Sequence, residues 1–445
     1  MACASKYGVG VMGRVRRTAL AGAVALGLAV GLPGAVHAAG PSSEPVPQYR
    51  PADGAQNVAG KPTSADAPLL SPGKVYEDVI SPEDRFYQLN LDDKSSVYVS
   101  AVVRPPAGAK VGYSDDVEVT IMTTGGKACP GNPGRASFGS EAGTISAVGV
   151  RRLEEDADCT AGGTYFVKVT RTAAKDSDQR SWPVELLVKR EPVLGGGNAP
   201  TTAPSVWPSA SPTLPGTAPV GRAGGTGFND ARAVGTGVWR DDLRPGQTRF
   251  YRVPLDWGQQ LGLSAELANA SMTKDYGFAA AGLKVSLYTP YRGLADSKDT
   301  TYDGKQAAVA LPKTAPVAYV NRFADDAEMR AMRVAGWYYI AVTMGANVGE
   351  FIEDAQPVPL TLRMEVIGSP AKAPAYKESL SAAGFGVGDD DRAAAKDGLT
   401  APEAADAAGT RSVMRVVAGA GFGTGTLLLL GLGGWIVLAR RGRTV

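Results

Sequence analysis

The sequence predicts an all-β protein with two tandem antiparallel β-sandwich domains of jelly-roll-like form, plus a signal peptide and one C-terminal transmembrane helix. Three observations predict this fold class. Short runs of β-branched and aromatic residues recur at strand-like spacing, without convincing helical periodicity. The same ordered series of short motifs occurs twice along the chain. Apolar segments typical of export and of membrane insertion lie near the two ends.

The first 39 residues have the three parts of a secretory signal peptide. Basic residues such as Arg14 come first, residues 18–30 form an uncharged apolar core, and small residues follow up to Ala38 and Ala39. We therefore predict a cleaved signal peptide over residues 1–39. An uncleaved signal anchor is the alternative.

The sequence contains one histidine, His37, and it lies within the predicted signal peptide. The mature chain then has no imidazole for a Ser-His-Asp or Cys-His mechanism, or for a histidine-ligated zinc or iron site. We predict a protein that is not an enzyme and has no metal or cofactor. Carboxylate-pair and Ser-Lys chemistry need no histidine and stay open. A net charge of +2 gives no reason to expect nucleic acid as a partner.

Cys129 and Cys159 are the two cysteines outside the predicted signal peptide. Exported proteins form disulfides, so we predict that these two are bonded to each other. Such a bridge would stabilise the fold by about 3–4 kcal/mol by restricting the unfolded chain. Without a spaced Asp-x-Asp-x-Asp-Gly loop, a solvated charged turn is favoured over a calcium site for the neighbouring acidic residues. These residues are Glu154, Glu155, Asp156 and Asp158.

Composition and strand spacing divide the rest of the chain into segments. Residues 40–70 are rich in Pro, Ala, Ser and Gly, which predicts a flexible leader. The first sandwich domain is predicted over residues 71–192 and the second over residues 236–368. A Pro/Gly-rich linker over residues 193–235 joins them. The low apolar content of residues 369–415 predicts a disordered stalk.

Residues 416–439 form an apolar run without a charge. As a helix rising about 1.5 Å per residue, this run would be roughly 36 Å long and would cross a bilayer. Residues 440–445 form a basic tail, which favours the cytoplasmic side. We predict a single-pass protein of the cell membrane with most of the chain extracellular. Gly421 and Gly425 give the span a small-xxx-small face for helix dimerisation.

The two predicted domains repeat one another in sequence. Arg85-Phe86-Tyr87 matches Arg249-Phe250-Tyr251 at an offset of 164 positions. Gly163-Thr164-Tyr165-Phe166-Val167 matches Gly336-Trp337-Tyr338-Tyr339-Ile340 at an offset of 173 positions. The order of these motifs is the same in both copies, so we predict a tandem duplication of one β-domain.

The larger offset places extra residues in the second copy between Tyr291 and Ala335. Charged and aromatic loops on a rigid scaffold often bind partners; a solvated connection without a partner is the alternative. The candidate binding surface consists of Tyr291, Arg292, Tyr302, Asp303, Lys305 and Trp337. A set of aromatic residues could also form a platform for a sugar ring. However, half of the side chains in a strand face the core of the domain. That set is Tyr288, Tyr291, Trp337, Tyr338 and Tyr339.

Each repeat resembles the bacterial pre-peptidase C-terminal type of β-sandwich. In that family an Arg-Phe-Tyr-like step leads into a long apolar strand, and a late Gly-x-Tyr-x-Val strand nearly closes the fold. The two pairs of motifs quoted above fit this outline. The whole layout is similar to that of membrane-anchored secreted proteins of Gram-positive actinobacteria. The resemblance implies a sandwich fold and an accessory binding role, and it implies no catalysis.

These observations together predict a non-catalytic cell-surface binding or accessory protein that displays two sandwiches from a membrane anchor. We expect its partner to be another envelope protein. The alternatives are a cell-wall glycan-binding protein, a carboxylate-dependent glycosidase and a structural spacer. A glycosidase requires an acidic pair in a cleft, whereas the acidic residues here lie mostly in predicted turns.

Overall fold

The computed structural model describes residues 48–410, without residues 107, 139–142, 154–156, 197–201, 205, 275 and 354–355, and also Leu432 and Trp435. Strands predominate in this part of the chain and form four five-stranded sheets. The prediction of an all-β protein is therefore confirmed.

The first half of the chain contributes ten strands. They are β1 (Gln56–Asn57), β2 (Leu69–Leu70), β3 (Val75–Ile80), β4 (Asp84–Leu91), β5 (Ser96–Val103), β6 (Asp116–Thr123), β7 (Gly134–Ser137), β8 (Ile145–Arg151), β9 (Gly163–Thr172) and β10 (Trp182–Glu191). Sheet I has the order β1-β3-β10-β5-β8 and sheet II the order β2-β4-β9-β6-β7. Alternate residues of β5 and β6, such as Val99 and Val119, share one buried core between the two sheets.

The second half repeats this arrangement. Its strands are β11 (Val220–Gly221), β12 (Arg232–Ala233), β13 (Gly237–Leu243), β14 (Thr248–Leu255), β15 (Gln260–Leu267), β16 (Ala279–Tyr288), β17 (Leu294–Tyr302), β18 (Ala307–Leu311), β19 (Gly336–Met344) and β20 (Val358–Ile367). Sheet III has the order β11-β13-β20-β15-β18 and sheet IV the order β12-β14-β19-β16-β17. The two sandwiches thus have the same topology: β11 takes the place of β1, β12 the place of β2, and so on to β20.

Each sandwich also contains an equivalent hydrogen-bonded aspartate–tyrosine pair. The Tyr251 hydroxyl and the backbone N–H of Gly224 both donate to Oδ2 of Asp241, each at 2.7 Å. A Cβ at position 224 would lie 2.9 Å from the Tyr251 ring, so this approach requires glycine. The corresponding residues of the first sandwich are Tyr87, Asp78 and Gly60, with distances of 2.8 and 2.7 Å.

Cys129 and Cys159 form the predicted disulfide, with Cα atoms 5.6 Å apart. The bridge joins the connection after β6 to a 3-10 turn, Ala157–Cys159, before β9. The buried side chain of Arg151 supports this turn, because its Nε donates to the carbonyl of Cys159 at 2.6 Å. Its Nη1 also donates to the carbonyl of Ser95 at 2.8 Å.

The predicted leader and linker are partly built into the sandwiches, which corrects both predictions. Within residues 40–70, β1 and β2 pair in parallel with β3 and β4. Within residues 193–235, β11 and β12 pair in the same way with β13 and β14, and Phe228 is buried. Such two-residue strands need only backbone hydrogen bonds at a sheet edge, so a composition of Pro, Ala and Gly does not reveal them.

The predicted stalk is also ordered as far as residue 410. We call residues 369–410 the C-terminal segment. It contains a helix, α2 (Asp389–Asp397), and residues 401–410 are helical too. (The shorter helix α1, Ala327–Ala331, precedes β19.) Phe385 is 2% exposed and belongs to the main core cluster of the second sandwich.

Ion pairs hold this segment in place, because Arg392 contacts Asp256 at 2.7 Å and Glu378 contacts Arg190 of β10. The prediction of disorder over this part of the chain was therefore wrong.

Among the described residues, no helix combines the length and the apolar character needed to cross a membrane. The predicted span over residues 416–439 lies outside them, apart from Leu432 and Trp435. The predicted signal peptide over residues 1–39 and the basic tail over residues 440–445 lie outside them as well.

Replacing Tyr251 with Phe should lower the free energy of unfolding by about 1–3 kcal/mol, because one oxygen of the buried Asp241 carboxylate loses a donor. Tyr87→Phe should have an effect of similar size, since the first sandwich has the same contact. Tyr113→Phe is the control, because Tyr113 is 83% exposed. Urea unfolding monitored by fluorescence measures all three. Equal free energies of unfolding for Tyr251→Phe and Tyr113→Phe would show that the tyrosine–aspartate hydrogen bond does not stabilise the fold.

Candidate functional site

The two sandwiches meet at the outer face of sheet I. All eight residues of β5 are buried, on both faces of the strand. Its inward side chains fill the first core, whereas Tyr98 belongs to the core cluster of the second sandwich. Val102 packs with Phe228 and with Phe250 of β14 in a third cluster. This double burial explains why the sequence of β5 is almost continuously apolar rather than alternating.

A first buried ion pair crosses this junction between Glu185 of β10 and Arg292. Arg292 lies in the turn between β16 and β17, and its Nη1 donates to Oε1 of Glu185. The Glu185 side chain is fully buried. It also accepts from Nδ2 of Asn229 at 2.9 Å and from the hydroxyl of Tyr49 at 3.0 Å. Three side chains from distant parts of the chain therefore converge on one carboxylate.

A second pair lies further along the same strand. Nη2 of Arg322 donates to Oε1 of Glu191 at 2.6 Å. The hydroxyls of Tyr98 and Tyr376 donate to the same carboxylate at 2.8 and 2.9 Å. Arg322 comes from the long connection between β18 and β19, and Tyr376 comes from the C-terminal segment. Glu191 thus ties the first sandwich, the second sandwich and the C-terminal segment together.

Arg292 reaches Glu185 from a left-handed backbone conformation, with φ of 65°. Such a conformation costs roughly 1–3 kcal/mol for a residue with a side chain. A tight turn maintains it, because the N–H of Arg292 donates to the carbonyl of Thr289 at 2.8 Å. The N–H of Gly293 also donates to Oγ1 of Thr289 at 3.0 Å. The sequence motif Tyr291-Arg292-Gly293 carries no signal of this conformation by itself.

The guanidinium groups determine the protonation of both carboxylates. Burial alone would raise the pKa of Glu185, but Arg292 and the hydrogen bonds to the carboxylate hold this pKa below its ordinary value. Glu191 follows the same pattern: burial raises its pKa, and the stronger opposing effect of Arg322, Tyr98 and Arg333 leaves it lowered. Both side chains therefore stay ionised at neutral pH although they are buried.

Two residues of the predicted binding surface lie in this junction rather than on a free surface. The Tyr291 ring stacks on Tyr98 with centroids 4.1 Å apart, and Tyr291 and Arg292 are both buried. The extra residues of the second copy do bind a partner surface, but it belongs to the first sandwich of the same chain. The connection over residues 312–335 is more than twice as long as its counterpart over residues 152–162.

The other four predicted residues are dispersed. Tyr302 is buried in the second sandwich, where its hydroxyl donates to the carbonyl of Ala268 at 2.6 Å and burial raises its pKa to about 12. Trp337 is half-buried, and its Nε1 donates to Asp391 of the C-terminal segment at 2.8 Å. Only Asp303 and Lys305 are exposed. The six residues do not form one surface, because strand alternation turns the aromatic rings inward.

The predicted aromatic platform is likewise not formed. Tyr338 lies in the core, and Tyr288 and Tyr339 contact the ring of Phe228 edge-on, each at 5.2 Å. Two aromatic residues outside that set are exposed instead. Tyr276 and Phe278 are 77% and 55% exposed, and their ring centroids lie 6.1 Å apart. The glycine between them, Gly277, is typical of a loop and was the signal that could have identified them.

Several predicted features fall outside the described residues. They include Gly421 and Gly425 of the helix-dimer face, and three of the four acidic residues before Cys159. The fourth, Asp158, forms an ion pair with Lys127. Within the part of the chain that the structure describes, no three His, Cys, Asp or Glu side chains come together as a metal site.

The largest of the described clefts is apolar and has a volume of about 450 Å³. We call it the apolar cleft. Three parts of the chain form it: residues 194–196 after the first sandwich, Trp257 and residues 316–320 of the second sandwich, and residues 371–375. A smaller cleft of about 220 Å³ lies between the two sandwiches. We call it the arginine cleft, since Arg135, Arg152, Arg330 and Arg333 all line it.

No protein family matches this sequence, and no curated protein matches it. Solved structures resemble it only distantly. Tripeptidyl peptidase 2 aligns at 8% identity over 67% of this chain and 24% of its own, with a TM-score of 0.21, so the chain spans about a quarter of that protein. The CBM22-1-CBM22-2 tandem domain of Paenibacillus barcinonensis Xyn10C aligns at 11% identity over 67% and 92% of the two chains, with a TM-score of 0.17.

The ANX1 ectodomain from Arabidopsis thaliana aligns at 8% identity over 73% of this chain and 99% of its own, with a TM-score of 0.19. TM-scores of this size are too low to infer a shared function. The resemblance to the pre-peptidase C-terminal type of sandwich stays a prediction.

Replacing Arg292 with Met should lower the free energy of unfolding by about 3–5 kcal/mol, because it leaves the Glu185 carboxylate buried without its counter-charge. Chemical denaturation measures the change. Lys110→Met is the control: Lys110 pairs with Asp176 on the surface, where both side chains are largely exposed, so its removal should change little. An Arg292→Met variant as stable as Lys110→Met would contradict the assigned role.

Acid should weaken the junction. A carboxylate whose pKa is lowered in the folded state contributes stability above its unfolded pKa of about 4.3, and this contribution is lost as pH falls through the folded value. The free energy of unfolding should therefore decrease below about pH 4.3. The double variant Glu191→Leu/Arg322→Leu removes both charges and should show a shallower decrease. Identical pH profiles for the two proteins would rule out a contribution of Glu191 to acid sensitivity.

Proposed function

We propose that this chain is a non-catalytic binding or accessory protein of the cell surface that engages another envelope protein. The observation that supports this most is the apolar cleft, which residues from both sides of the junction and from the C-terminal segment build together. Its shape depends on the packing of all three parts. A binding site built in this way is rigid, which lowers the entropic cost of holding a partner.

The lining of the apolar cleft favours a protein partner over a sugar. Trp257, Tyr319, Pro316 and Pro374 line it, and Lys372 is its one charged residue among those described. One face of the Tyr319 ring is covered by the guanidinium of Arg322, whose carbon lies 3.4 Å from the ring centroid. The volume of about 450 Å³ suits a few apolar side chains. A hydroxyl-rich ligand would find few polar groups there.

The cell-surface location rests on the sequence together with the disulfide. Cys129 and Cys159 are bonded, and disulfides of this kind persist in oxidising compartments outside the cytoplasm. The predicted signal peptide and the predicted span at residues 416–439 agree with such a location. An anchored chain would hold the two sandwiches outside the membrane as one rigid unit.

Glycan binding is the second candidate, and the exposed pair Tyr276 and Phe278 favours it. Exposed rings of this kind can stack on sugar rings. The glycosidase alternative has less support. The buried carboxylates Glu185 and Glu191 lie six positions apart on one strand, or roughly 20 Å at the usual rise per residue. Each is also closed by an ion pair, whereas a glycosidase needs two accessible carboxyl groups within about 10 Å.

A photoreactive residue at position 372 of the full-length protein tests the proposal in its own cells. Lys372 is exposed at the rim of the apolar cleft, so ultraviolet irradiation should crosslink one envelope protein. The matched control carries the photoreactive residue at position 113, which is exposed on the first sandwich. Mass spectrometry identifies the products. The crosslink at position 372 should disappear when Val320, which lines the cleft, is replaced with Lys.

The outcomes separate the candidate functions. A partner that is lost with Val320→Lys supports the proposal. Recovery of wall polymer alone, abolished by Tyr276→Ala/Phe278→Ala, would replace it with glycan binding. Equal crosslinking at positions 372 and 113, or no product at either position, would overturn the proposal in favour of a spacer.

A further inference from the structure

The arginine cleft differs from the apolar cleft because several charged residues line it, and all of those described are positive. Strands β7 and β8 form one wall, with Arg135 and Arg152, and the turn after β16 and helix α1 form the other, with Arg330 and Arg333. Among the described residues that line it there is no aspartate or glutamate. Four arginine residues therefore line a space of about 220 Å³.

Arg333 is the most deeply placed of these residues, with 4% of its surface exposed. Its Nη2 donates to the hydroxyl of Tyr291 at 3.1 Å, and its Nε has no hydrogen-bond partner in the described structure. Its guanidinium carbon lies 5.1 and 5.4 Å from the ring centroids of Tyr98 and Tyr291. Aromatic faces stabilise a cation, but they do not satisfy its N–H donors. Burying an arginine in this state is costly unless a further acceptor is supplied.

Arg330 also makes no ion pair in the described part of the chain. Its Nε donates to the carbonyl of Ala324 at 2.8 Å and its Nη2 to the carbonyl of Asp325 at 2.7 Å. These bonds fix the direction of the guanidinium without neutralising it. Arg135 differs, because Asp116 and Glu118 both pair with it. Arg330 is thus oriented in the cleft without a carboxylate partner among the described residues. The described counter-charge of Arg333 is Glu191, which already pairs with Arg322.

Three other acidic side chains lie on or near the elements that line the cleft. Glu191 is closed by Arg322 and two tyrosine hydroxyls, as described above. Asp326 caps α1 by accepting from the N–H of Met329 at 2.7 Å. Glu328 lies beside Asp296 and Asp326, and burial together with these two charges raises its pKa. Its charged neighbours are these two carboxylates and Lys298.

We propose that the arginine cleft binds an oxyanion, such as a phosphate or carboxylate group, through Arg330 and Arg333. Planar guanidinium groups donate two parallel hydrogen bonds to such groups, and Arg is the residue suited to this geometry. This site is independent of the apolar cleft and goes beyond the proposed function, since different residues form it and the ligand has a different chemistry.

Titration of the full-length protein with sodium phosphate, at constant ionic strength maintained with chloride, tests the site by isothermal calorimetry. We expect saturable binding of one phosphate per chain. Arg330→Gln should weaken it about tenfold or more, because it removes a charge-assisted hydrogen bond to the anion. Arg330→Lys, which keeps the charge but not the planar fork, should lie between the two. Arg240→Gln is the matched control, since Arg240 is exposed on β13.

Each outcome decides the matter. Loss of affinity in Arg330→Gln but not in Arg240→Gln supports the site. Absence of saturable binding by the unaltered protein, or equal affinity in the two variants, overturns it. Polyphosphate of defined length is then titrated to distinguish the sources of the ligand: tighter binding that competes with phosphate indicates a polyanionic chain, and equal binding per phosphate indicates a small free anion. Crosslinking at position 372 is unaffected by any of these results, so the two proposals fail separately.

Discussion

The two carboxylates on the outer face of β10 determine how this molecule is assembled. Glu185 and Glu191 are buried, so each requires a counter-charge, and the second half of the chain supplies both. Arg292 and Arg322 come from different loops. The Glu185–Arg292 and Glu191–Arg322 ion pairs can therefore form together only in one placement of the two sandwiches. The second sandwich consequently has little freedom to rotate or slide on the first. Both clefts depend on this fixed arrangement.

Buried ion pairs of this kind specify a geometry more than they add net stability. Taking four charges out of water is expensive, and the pairing recovers that cost only when every partner is in place. The apolar contacts around the pairs, such as Tyr98 stacked on Tyr291, provide the favourable burial. A misplaced sandwich would retain some of the apolar contact but would leave charges unpaired. The native arrangement is thus favoured because other placements of the second sandwich would bury unpaired charges.

The sequence predicted the repeated sandwich and the disulfide because local patterns carry that information. Alternating strands, the repeated Arg-Phe-Tyr step and the isolated cysteine pair can each be recognised without knowing the rest of the fold. The junction could not be predicted in this way, since Glu185 and Arg292 are far apart in sequence and each looks like an ordinary surface residue. One signal was available: the apolar run of β5 exceeds what a sandwich with one solvated face requires. It indicated that something covers sheet I.

The leader, the linker and the stalk were misjudged for a common reason. A segment with few apolar residues cannot form a core of its own, but it can be held by a few contacts with a core that already exists. Phe385 is an example, since one buried ring and a few ion pairs keep the C-terminal segment in place. Composition alone does not reveal such contacts.

The charges of β10 also matter before the molecule is complete. Synthesis runs from the N-terminus, so the first sandwich can fold while Arg292 and Arg322 have yet to be made. During that interval the outer face of sheet I is uncovered, and it carries the apolar side chains of Tyr98 and Val102. Glu185 and Glu191 are then hydrated and negatively charged on that same face. Two like charges there oppose face-to-face association with another copy of the chain. Glu185 and Glu191 therefore have two roles: they first limit aggregation of the incomplete chain, and they later form the ion pairs that join the two sandwiches.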